Sequence, residues 1–235
     1  MLKYQLIANQ IEDHIYENDL PKGTKLPTVE QFASDYSVSK STIVKALETL
    51  VLRGIVYQVQ GSGIFVRKRN KKGYINFNSP KGFTDNLEEH KITSKLVDLE
   101  LVKPDDEICN HLECDKDEDV YVVKRIRYID NEIMCYEESF YKKSIVPFLN
   151  QEIVKGSIFD YIKKAFNITT SFQDRYFNVI KLDEKYAKLL ELNVGDPGLV
   201  AYNQCFSSSG TVFNYSKIVY HYKNTQFYDQ SSTTK

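Results

Sequence analysis

Two arginines that could bind an anion stand near the middle of the chain, at Arg125 and Arg127. They belong to residues 119–129, a run rich in Val, Ile and Tyr that is typical of a β-strand. Side chains two positions apart on a strand leave the same face of the sheet, so these guanidiniums repel unless an anion or a carboxylate lies between them. The pair therefore indicates either a phosphate or carboxylate site, or exposed arginines paired with surface acids.

A second group of polar residues lies at the start of residues 38–52. Helical spacing of the apolar residues predicts a helix with one apolar face, formed by Ile43, Ala46, Leu47 and Leu50. Ser39 is placed to cap its N-terminus, and Lys40, Ser41 and Thr42 follow at the tip. Such a tip suits the major groove of DNA, whereas an ordinary amphipathic surface helix has the same spacing.

A third candidate is Ser157, which opens the pattern Ser-Ile-Phe-Asp. This pattern predicts a helix N-cap with Asp160 at the third helical position. The N-terminus of a helix also offers N–H groups and a positive dipole to an anion. Ser157 is therefore either a plain helix cap or a cap that also contacts a ligand.

The chain shows no constellation for catalysis or metal binding. Its four cysteines lack the Cys-x-x-Cys spacing, and only Cys109-Asn-His111 with Cys114 approaches a metal pattern. No Gly-rich phosphate loop follows a strand, and no nucleophile stands beside a base. We therefore expect no enzymatic activity, no cofactor and no metal. Because no signal sequence or membrane-spanning apolar run is present, we expect a cytoplasmic protein with reduced cysteines.

The elements around residues 38–52 predict a winged helix-turn-helix. Residues 2–16 carry an apolar stripe that predicts a first helix, and Thr28 is placed to cap a short second one. After Gly54, two alternating runs at 55–59 and 64–67 flank Gln-Gly-Ser-Gly, which predicts a β-hairpin.

Charge is divided unevenly along the chain, although the whole carries a net charge of −1. Residues 1–72 hold 11 Lys and Arg against 7 Asp and Glu, so this part carries +4 and the remainder −5. A basic module is typical of nucleic-acid binding. We predict a DNA-binding domain at 1–67, a basic linker at 68–73 and a second domain at 74–230.

The second domain is predicted to be an antiparallel α+β domain. Asp130-Asn131 and residues 208–210 are hairpin turn signals, and no βαβ pattern is present. The predicted strands are 92–103, 119–129, 133–141, 171–180, 198–206 and 211–222, and the predicted helices are about 83–90, 105–112, 157–166 and 183–191.

Residues 4–66 contain the motifs Y-x-x-I-A-x-x-I, G-x-x-L-P-T, V-S-K-S-T-I, A-L-x-x-L-x-x-x-G and G-S-G-I-F-V. With these motifs the segment resembles the GntR family of bacterial repressors. The resemblance implies a winged helix-turn-helix whose DNA contacts fall on Thr28, Ser39, Lys40, Ser41, Thr42, Lys45, Gly61 and Gly63. This chain departs from the family pattern at three positions, where Lys40 and Val44 replace Arg and Ile64 replaces Thr.

The second region contains the motifs Gly-Phe-Thr-Asp from Gly82, V-K-R-I-R-Y-I-D-N-E, Y-E-E-S-F-Y and G-S-I-F-D-Y. With these motifs it resembles the UTRA effector-binding domain of the HutC subgroup, which is similar in fold to chorismate lyase. The resemblance implies an effector site formed by Phe83, Thr84, Arg125, Arg127, Glu137, Ser157, Tyr215 and Tyr220. In this role the two arginines hold the anionic end of the ligand and Glu137 accepts hydrogen bonds from its hydroxyls.

Together the two resemblances imply a homodimeric repressor of a metabolic operon, such as one for sugar uptake. It would bind an inverted repeat in double-stranded operator DNA and leave it when a small anion such as a phosphosugar binds. The alternatives are a chorismate-lyase-like enzyme fused to a DNA-binding module, a regulator of amino-acid or acyl metabolism, and a DNA-binding protein whose second domain only dimerises. On this interpretation either arginine can be removed without loss of folding, because each belongs to a ligand site.

Overall fold

The computed structural model describes residues 2–67, 74–76 and 90–229. These residues form two compact units, of which the first contains 2–67 and the second contains 74–75 and 90–227. The predicted linker at 68–73 and the predicted helix near 83–90, apart from His90, lie outside the described residues. None of the described helices combines the length and the apolar character that crossing a membrane requires.

The first unit contains three helices, α1 (Lys3–Glu17), α2 (Val29–Asp35) and α3 (Lys40–Leu52). The apolar face predicted for α3 is fully buried and packs with the stripe of α1, including Ile7 and Ile11. Between α2 and α3 the chain turns sharply through Ser37, which has a φ of 50°. Helix, turn and longer helix lie in the predicted order, with ends shifted by one or two residues.

A β-hairpin follows α3, formed by β1 (Val56–Val59) and β2 (Gly63–Val66). The two strands are antiparallel, with Val56 opposite Val66. The segment before α2 also forms backbone hydrogen bonds with this hairpin, the wing, which the sequence did not predict. Leu26 N–H donates to Ile64 O at 2.8 Å, and Val66 N–H donates to Thr24 O at 2.8 Å. The segment before α2 therefore fastens the hairpin to the helices.

The second unit is built on a six-stranded antiparallel sheet. In chain order its elements are β3 (Tyr74–Asn76), β4 (Ile92–Val102), α4 (Asp106–Leu112), β5 (Val120–Ile129), β6 (Glu132–Lys142), α5 (Gln151–Lys155), α6 (Ile158–Phe166), β7 (Phe172–Lys181), α7 (Glu184–Leu190), β8 (Pro197–Phe206), β9 (Val212–His221) and β10 (Gln226–Tyr228). The strand order in the sheet is β4-β5-β6-β9-β8-β7. A separate pair, β3 with β10, was not predicted, nor was helix α5. The α+β class and the antiparallel sheet agree with the prediction.

The two faces of this sheet have different covers. The face that carries Arg125, here called the arginine face, packs α5 and α6 against Val123 and Tyr141. The opposite face packs α7 against Tyr136 and α4 against Val120. On the arginine face β3 and β10 add Ile75 and Phe227 to a further apolar cluster. The arginine face is therefore covered by apolar side chains at both ends, with its polar residues between them.

A single row of residues crosses all six strands on the opposite face. Directly paired neighbours form the series Asp98, Lys124, Glu138, Lys217, Tyr202 and Tyr176. Charges alternate along its first four members, and Lys124 Nζ lies 2.9 Å from Asp98 Oδ2. Lys217 Nζ lies 5.8 Å from the centre of the Tyr202 ring. Opposite charges on adjacent strands stabilise this pairing.

Candidate functional site

The tip of α3 is capped by its own side chains. Ser39 Oγ accepts from the backbone N–H of Thr42 at 3.3 Å, as the sequence predicted for an N-cap. The same oxygen lies 2.9 Å from Ser41 Oγ and 2.8 Å from Thr42 Oγ1. Ser39 and Ser41 are exposed. The helix therefore begins with a compact set of hydroxyl groups that faces solvent.

Lys40 extends this polar tip but already has a partner in the free chain. Its Nζ lies 2.8 Å from Glu30 Oε1 on α2, and both side chains are about two-thirds exposed, at 65% and 63%. The bond to Lys40 is the main reason why the pKa of Glu30 is lowered. Exposed ion pairs contribute little to stability, so Lys40 can exchange Glu30 for a phosphate or a base edge at small cost. Val44 and Lys45 are also exposed on α3.

The hairpin turn depends on two glycines. Gly61 and Gly63 have φ values of 76° and 120°, which side chains other than glycine rarely adopt. A Cβ added to Gly63 would also lie 3.0 Å from Lys25 Cε. Thr28 has a local role, since its Oγ1 accepts from Gln31 N at 3.2 Å and its own N–H donates to Gln31 Oε1. Thr28 therefore fixes the start of α2.

On the arginine face, Arg125, Arg127 and Glu137 form one buried cluster. Arg125 and Glu137 are paired directly across β5 and β6, and they are 2% and 5% exposed. Arg125 Nη2 donates to both carboxylate oxygens of Glu137 at 3.0 and 2.9 Å, and Arg127 Nη1 donates to Oε2 at 3.3 Å. Ser139 Oγ donates to Oε1 at 2.8 Å. The carboxylate that two adjacent guanidiniums require is thus supplied by the chain itself.

The electrostatics of this cluster are dominated by burial and by the guanidiniums. Burial alone would raise the pKa of Glu137, but Arg125, Arg127 and the Ser139 hydroxyl outweigh it and lower that pKa to about 2. Among the described residues, two guanidiniums thus lie beside one carboxylate. Among the described residues, Arg125 Nε and the Tyr141 hydroxyl are also buried without a hydrogen-bond partner. The cluster therefore has two spare donors, Arg125 Nε and the Tyr141 hydroxyl.

The residues just before α6 lie against the guanidinium of Arg125. Arg125 Nη1 donates to Val154 O at 2.8 Å and to Gly156 O at 3.1 Å. Ser157 follows directly, and its Oγ accepts from Asp160 N at 3.3 Å as the predicted cap. Arg125 therefore ties the sheet to the residues just before a helix N-terminus, which brings Ser157 next to the cluster.

A further polar row on the arginine face was missed by the sequence interpretation. Cross-strand pairing aligns Ser139 with Ser216, then Ser216 with Asn203, and Asn203 with Arg175. Asn203 Nδ2 donates to Ser216 Oγ at 3.3 Å, and Arg175 Nε donates to Asn203 Oδ1 at 2.7 Å. The available signal was the position of these polar residues at alternate places within predicted strands, but it does not show which strands pair.

Some residues of the predicted effector site are not placed beside the cluster. Tyr215 lies on the opposite face, where its ring stacks on His111 at 4.2 Å, so it does not join the arginines. Tyr220 is on the arginine face, opposite Cys135 and packed on Phe227. Phe83 and Thr84 lie outside the described residues. Within the described residues, no group of three His, Cys, Asp or Glu side chains is arranged to hold a metal ion.

The burial of Arg125 and Arg127 contradicts the prediction that either arginine can be removed without loss of folding. That prediction assumed a ligand site open to water. Both side chains are almost fully enclosed and neutralise a buried carboxylate, so their removal must affect stability.

Comparison with known families matches both units. The model for bacterial regulatory proteins of the gntR family matches residues 3–66, and the UTRA domain model matches residues 88–226. The uncharacterized HTH-type transcriptional regulator YydK of Bacillus subtilis (strain 168) is 46% identical over 233 residues, which cover 99% of both chains. Its crystal structure has a TM-score of 0.85 and covers 99% of this chain and 100% of that chain.

Two repressors are more distant relatives along most of the chain. The HTH-type transcriptional repressor NagR of Bacillus subtilis (strain 168) is 25% identical over 92% of this chain and 89% of its own length. The mannosyl-D-glycerate transport/metabolism system repressor MngR of Escherichia coli (strain K12) is 25% identical over 95% of this chain and 93% of its own length.

Proposed function

We propose a specific role for this chain, which belongs to the GntR family of bacterial regulatory proteins and carries a UTRA domain. It is a DNA-binding transcription regulator and not an enzyme, as its family shows. In the role we propose, it represses a metabolic operon of the sugar-uptake type and is released by a small anionic effector. The names of NagR and MngR support repression, and that of MngR also supports a transport operon.

The proposed DNA-binding part is residues 1–67, joined by the linker 68–73 to an effector-binding and dimerising part at 74–230. A homodimer is proposed because one helix-turn-helix reads one half-site and a two-fold axis supplies the second. The exposed hydroxyl and ammonium groups at the tip of α3 and the glycine turn of the wing support this assignment. The proposed contacts are Thr28, Ser39, Lys40, Ser41, Thr42, Lys45, Gly61 and Gly63.

Replacement of Lys40 by alanine should weaken operator binding about tenfold, or roughly 1.4 kcal/mol, on the scale of one base or phosphate contact. Glu30→Gln is the matched control, because it removes the negative charge that pairs with Lys40 and keeps the shape of the side chain. We expect Glu30→Gln to bind DNA at least as tightly as the wild type. Fluorescence anisotropy with an operator fragment measures both, and equal affinity for Lys40→Ala and wild type would contradict the assignment.

The proposed effector site is centred on Arg125, Arg127, Glu137 and Ser157, with Phe83, Thr84 and Tyr220 as further contacts. The observation that carries it is a pair of buried guanidiniums beside which Arg125 Nε and the Tyr141 hydroxyl have no acceptor. A phosphate or carboxylate would accept from both of these donors. The row from Ser139 to Arg175 would then lie beside the hydroxyl-bearing remainder of the ligand, which favours a phosphosugar.

A thermal-shift screen of the purified chain tests this proposal. The probes are hexose 6-phosphates, the matching unphosphorylated hexoses and carboxylated metabolites, in a buffer free of phosphate and sulfate. A ligand at 100 times its dissociation constant adds about 2.7 kcal/mol to the free energy of unfolding. We expect a shift with phosphosugars and none with the neutral hexoses. Shifts of equal size in both classes would remove the role of the arginines.

A DNA-binding protein whose second domain takes no ligand is the second candidate. It is favoured by the way in which Arg125, Arg127 and Glu137 satisfy one another in the free chain. The same screen separates the two functions, because no anion of any class would stabilise such a protein.

A further inference from the structure

We infer that Val44 on α3 determines part of the sequence specificity of this chain, by contacting the C5-methyl group of a pyrimidine in the major groove of each operator half-site. The inference rests on the proposed DNA contacts of α3. It adds a residue that lies outside that set, together with the chemical group that this residue recognises. In unmodified DNA, thymine supplies this methyl group.

Val44 lies on the exposed face of α3. This helix is described from end to end, and its exposed residues are Lys40, Ser41, Val44, Lys45, Glu48 and Leu52. Val44 is 40% exposed and is the one apolar side chain among the first five of these. It follows Lys40 at i+4, so the two side chains lie on the same side of the helix, one turn apart. A DNA surface that Lys40 reaches therefore lies close to Val44.

Core packing and helix formation do not account for a valine at this position. The core face of α3 is complete without it, with Ile43, Ala46, Leu47 and Leu50 all 0% exposed. A β-branched residue is also a weaker helix former than Lys, Arg or Glu at an exposed site. This points to a contact that the exposed face makes in the bound state.

The major groove offers one apolar group to such a side chain. Guanine, cytosine and adenine present hydrogen-bond donors and acceptors there, whereas thymine presents one acceptor and the C5-methyl group. Val44 can neither donate nor accept, so a polar base edge that faced it would lose water without gaining a partner, which costs free energy. Two apolar surfaces lose water favourably. The contact therefore favours thymine over the other bases.

The side chain of Val44 is held ready for this contact. A β-branched residue in a helix keeps mostly one χ1 rotamer, so its methyl groups have fixed directions. The backbone just before it is fixed by the cap, in which Ser39 Oγ accepts from Thr42 N–H at 3.3 Å. Because little conformational freedom remains to be lost, one methyl contact is enough to discriminate between bases.

The test begins with the selection of double-stranded DNA by the full chain from a library of random sequence. Each dT of the selected operator is then replaced by dU in both half-sites, which removes the C5-methyl group and keeps the hydrogen-bonding edge. We expect a loss of affinity of about 15-fold at one position, from about fourfold for each methyl-sized group in the two half-sites. The other thymines should show no comparable loss. Fluorescence anisotropy measures each affinity.

Val44→Ser removes both methyl groups and should bind the dT and dU operators equally. Leu52→Ser is the matched control, because it makes a similar change in the last turn of the same helix, at a residue that is 81% exposed. We expect it to keep the preference for dT, since residues near the N-terminus of a recognition helix contact the bases. Circular dichroism checks that both variants are folded.

The base 5-methylcytosine separates the methyl group from the other features of thymine. At the position found, a 5-methylcytosine·guanine pair should bind the wild type about fourfold more tightly per half-site than a cytosine·guanine pair. The same two pairs should bind Val44→Ser equally.

The outcomes separate this inference from the proposed function. Equal affinity of the wild type for the dT and dU operators at every position would overturn the role of Val44 and leave the DNA contacts of α3 intact. A preference for dT that persists unchanged in Val44→Ser would also overturn it, because another residue would then contact the methyl group. A selection that enriches no sequence would overturn the proposed DNA contacts themselves.

Discussion

Arg125→Ala should lower the free energy of unfolding by about 3–5 kcal/mol, the usual cost of removing one partner from a buried ion pair. The reason is Glu137, which is 5% exposed and would lose two hydrogen bonds while it remained enclosed. The backbone carbonyls of Val154 and Gly156 would lose their donor as well. Urea unfolding followed by circular dichroism measures the loss.

Lys124→Ala is the matched control for this result, because Lys124 directly precedes Arg125 on β5 and also binds carboxylates. Its ammonium lies 2.9 Å from Asp98 on the opposite face, where both side chains are partly exposed. Exposed pairs of this kind contribute about 0.2–1 kcal/mol. If Arg125→Ala cost no more than Lys124→Ala, the cluster would have to be open to water, contrary to the geometry.

Binding of the effector should weaken operator binding by about 5- to 150-fold, a coupling of roughly 1–3 kcal/mol. A repressor that is released by a metabolite needs two states of different DNA affinity, and the ligand must prefer the state that binds DNA less well. Linkage requires the reverse effect to be equal, so operator DNA must weaken effector binding by the same factor. Titration of the strongest anion from the thermal-shift screen, with and without operator DNA, measures both.

Arg127→Lys is the variant that isolates this coupling. It keeps a positive charge beside Glu137 but loses the planar fork that holds a phosphate or carboxylate through two parallel bonds. We expect it to bind operator DNA like the wild type and to respond weakly to the anion. Equal effector affinity with and without DNA would show that the second domain is not a switch. Tighter binding with DNA would make the effector a corepressor.

Local patterns were sufficient for most of the fold. The 3.6-residue spacing and the Ser39 cap defined α3, and alternation defined the strands of the large sheet to within about two residues. Helix α5 was missed because five residues are too few to show a periodicity. The pairing of β3 with β10 was missed because these strands are separated by residues 77–225, so no local signal joins them.

For the candidate site, strand alternation correctly placed Arg125 and Arg127 on one face, but the partner of Arg125 depends on a bulge. The two-residue turn at Asp130-Asn131 alone would place Tyr136 opposite Arg125. A register shift between Arg127 and Tyr128 advances the pairing by one residue and places Glu137 there instead. No sequence signal marked that shift, so the closed ion cluster could not be predicted. The face on which Tyr215 lies was ambiguous for a similar reason, because it depends on pairing across several strands.

The charged row across the opposite face also has a consequence for how the chain reaches its native pairing. Lys124 faces Glu138 on one side of the sheet and Arg125 faces Glu137 on the other. A slip of two residues between β5 and β6 would preserve the alternation of faces, yet it would set Lys124 against Tyr136 or Phe140. The same slip would set Arg125 against Cys135 or Ser139 and enclose a guanidinium with no carboxylate. The charges on both sides of these strands therefore reject misaligned hairpins during folding, a selection that hydrophobic alternation alone cannot make.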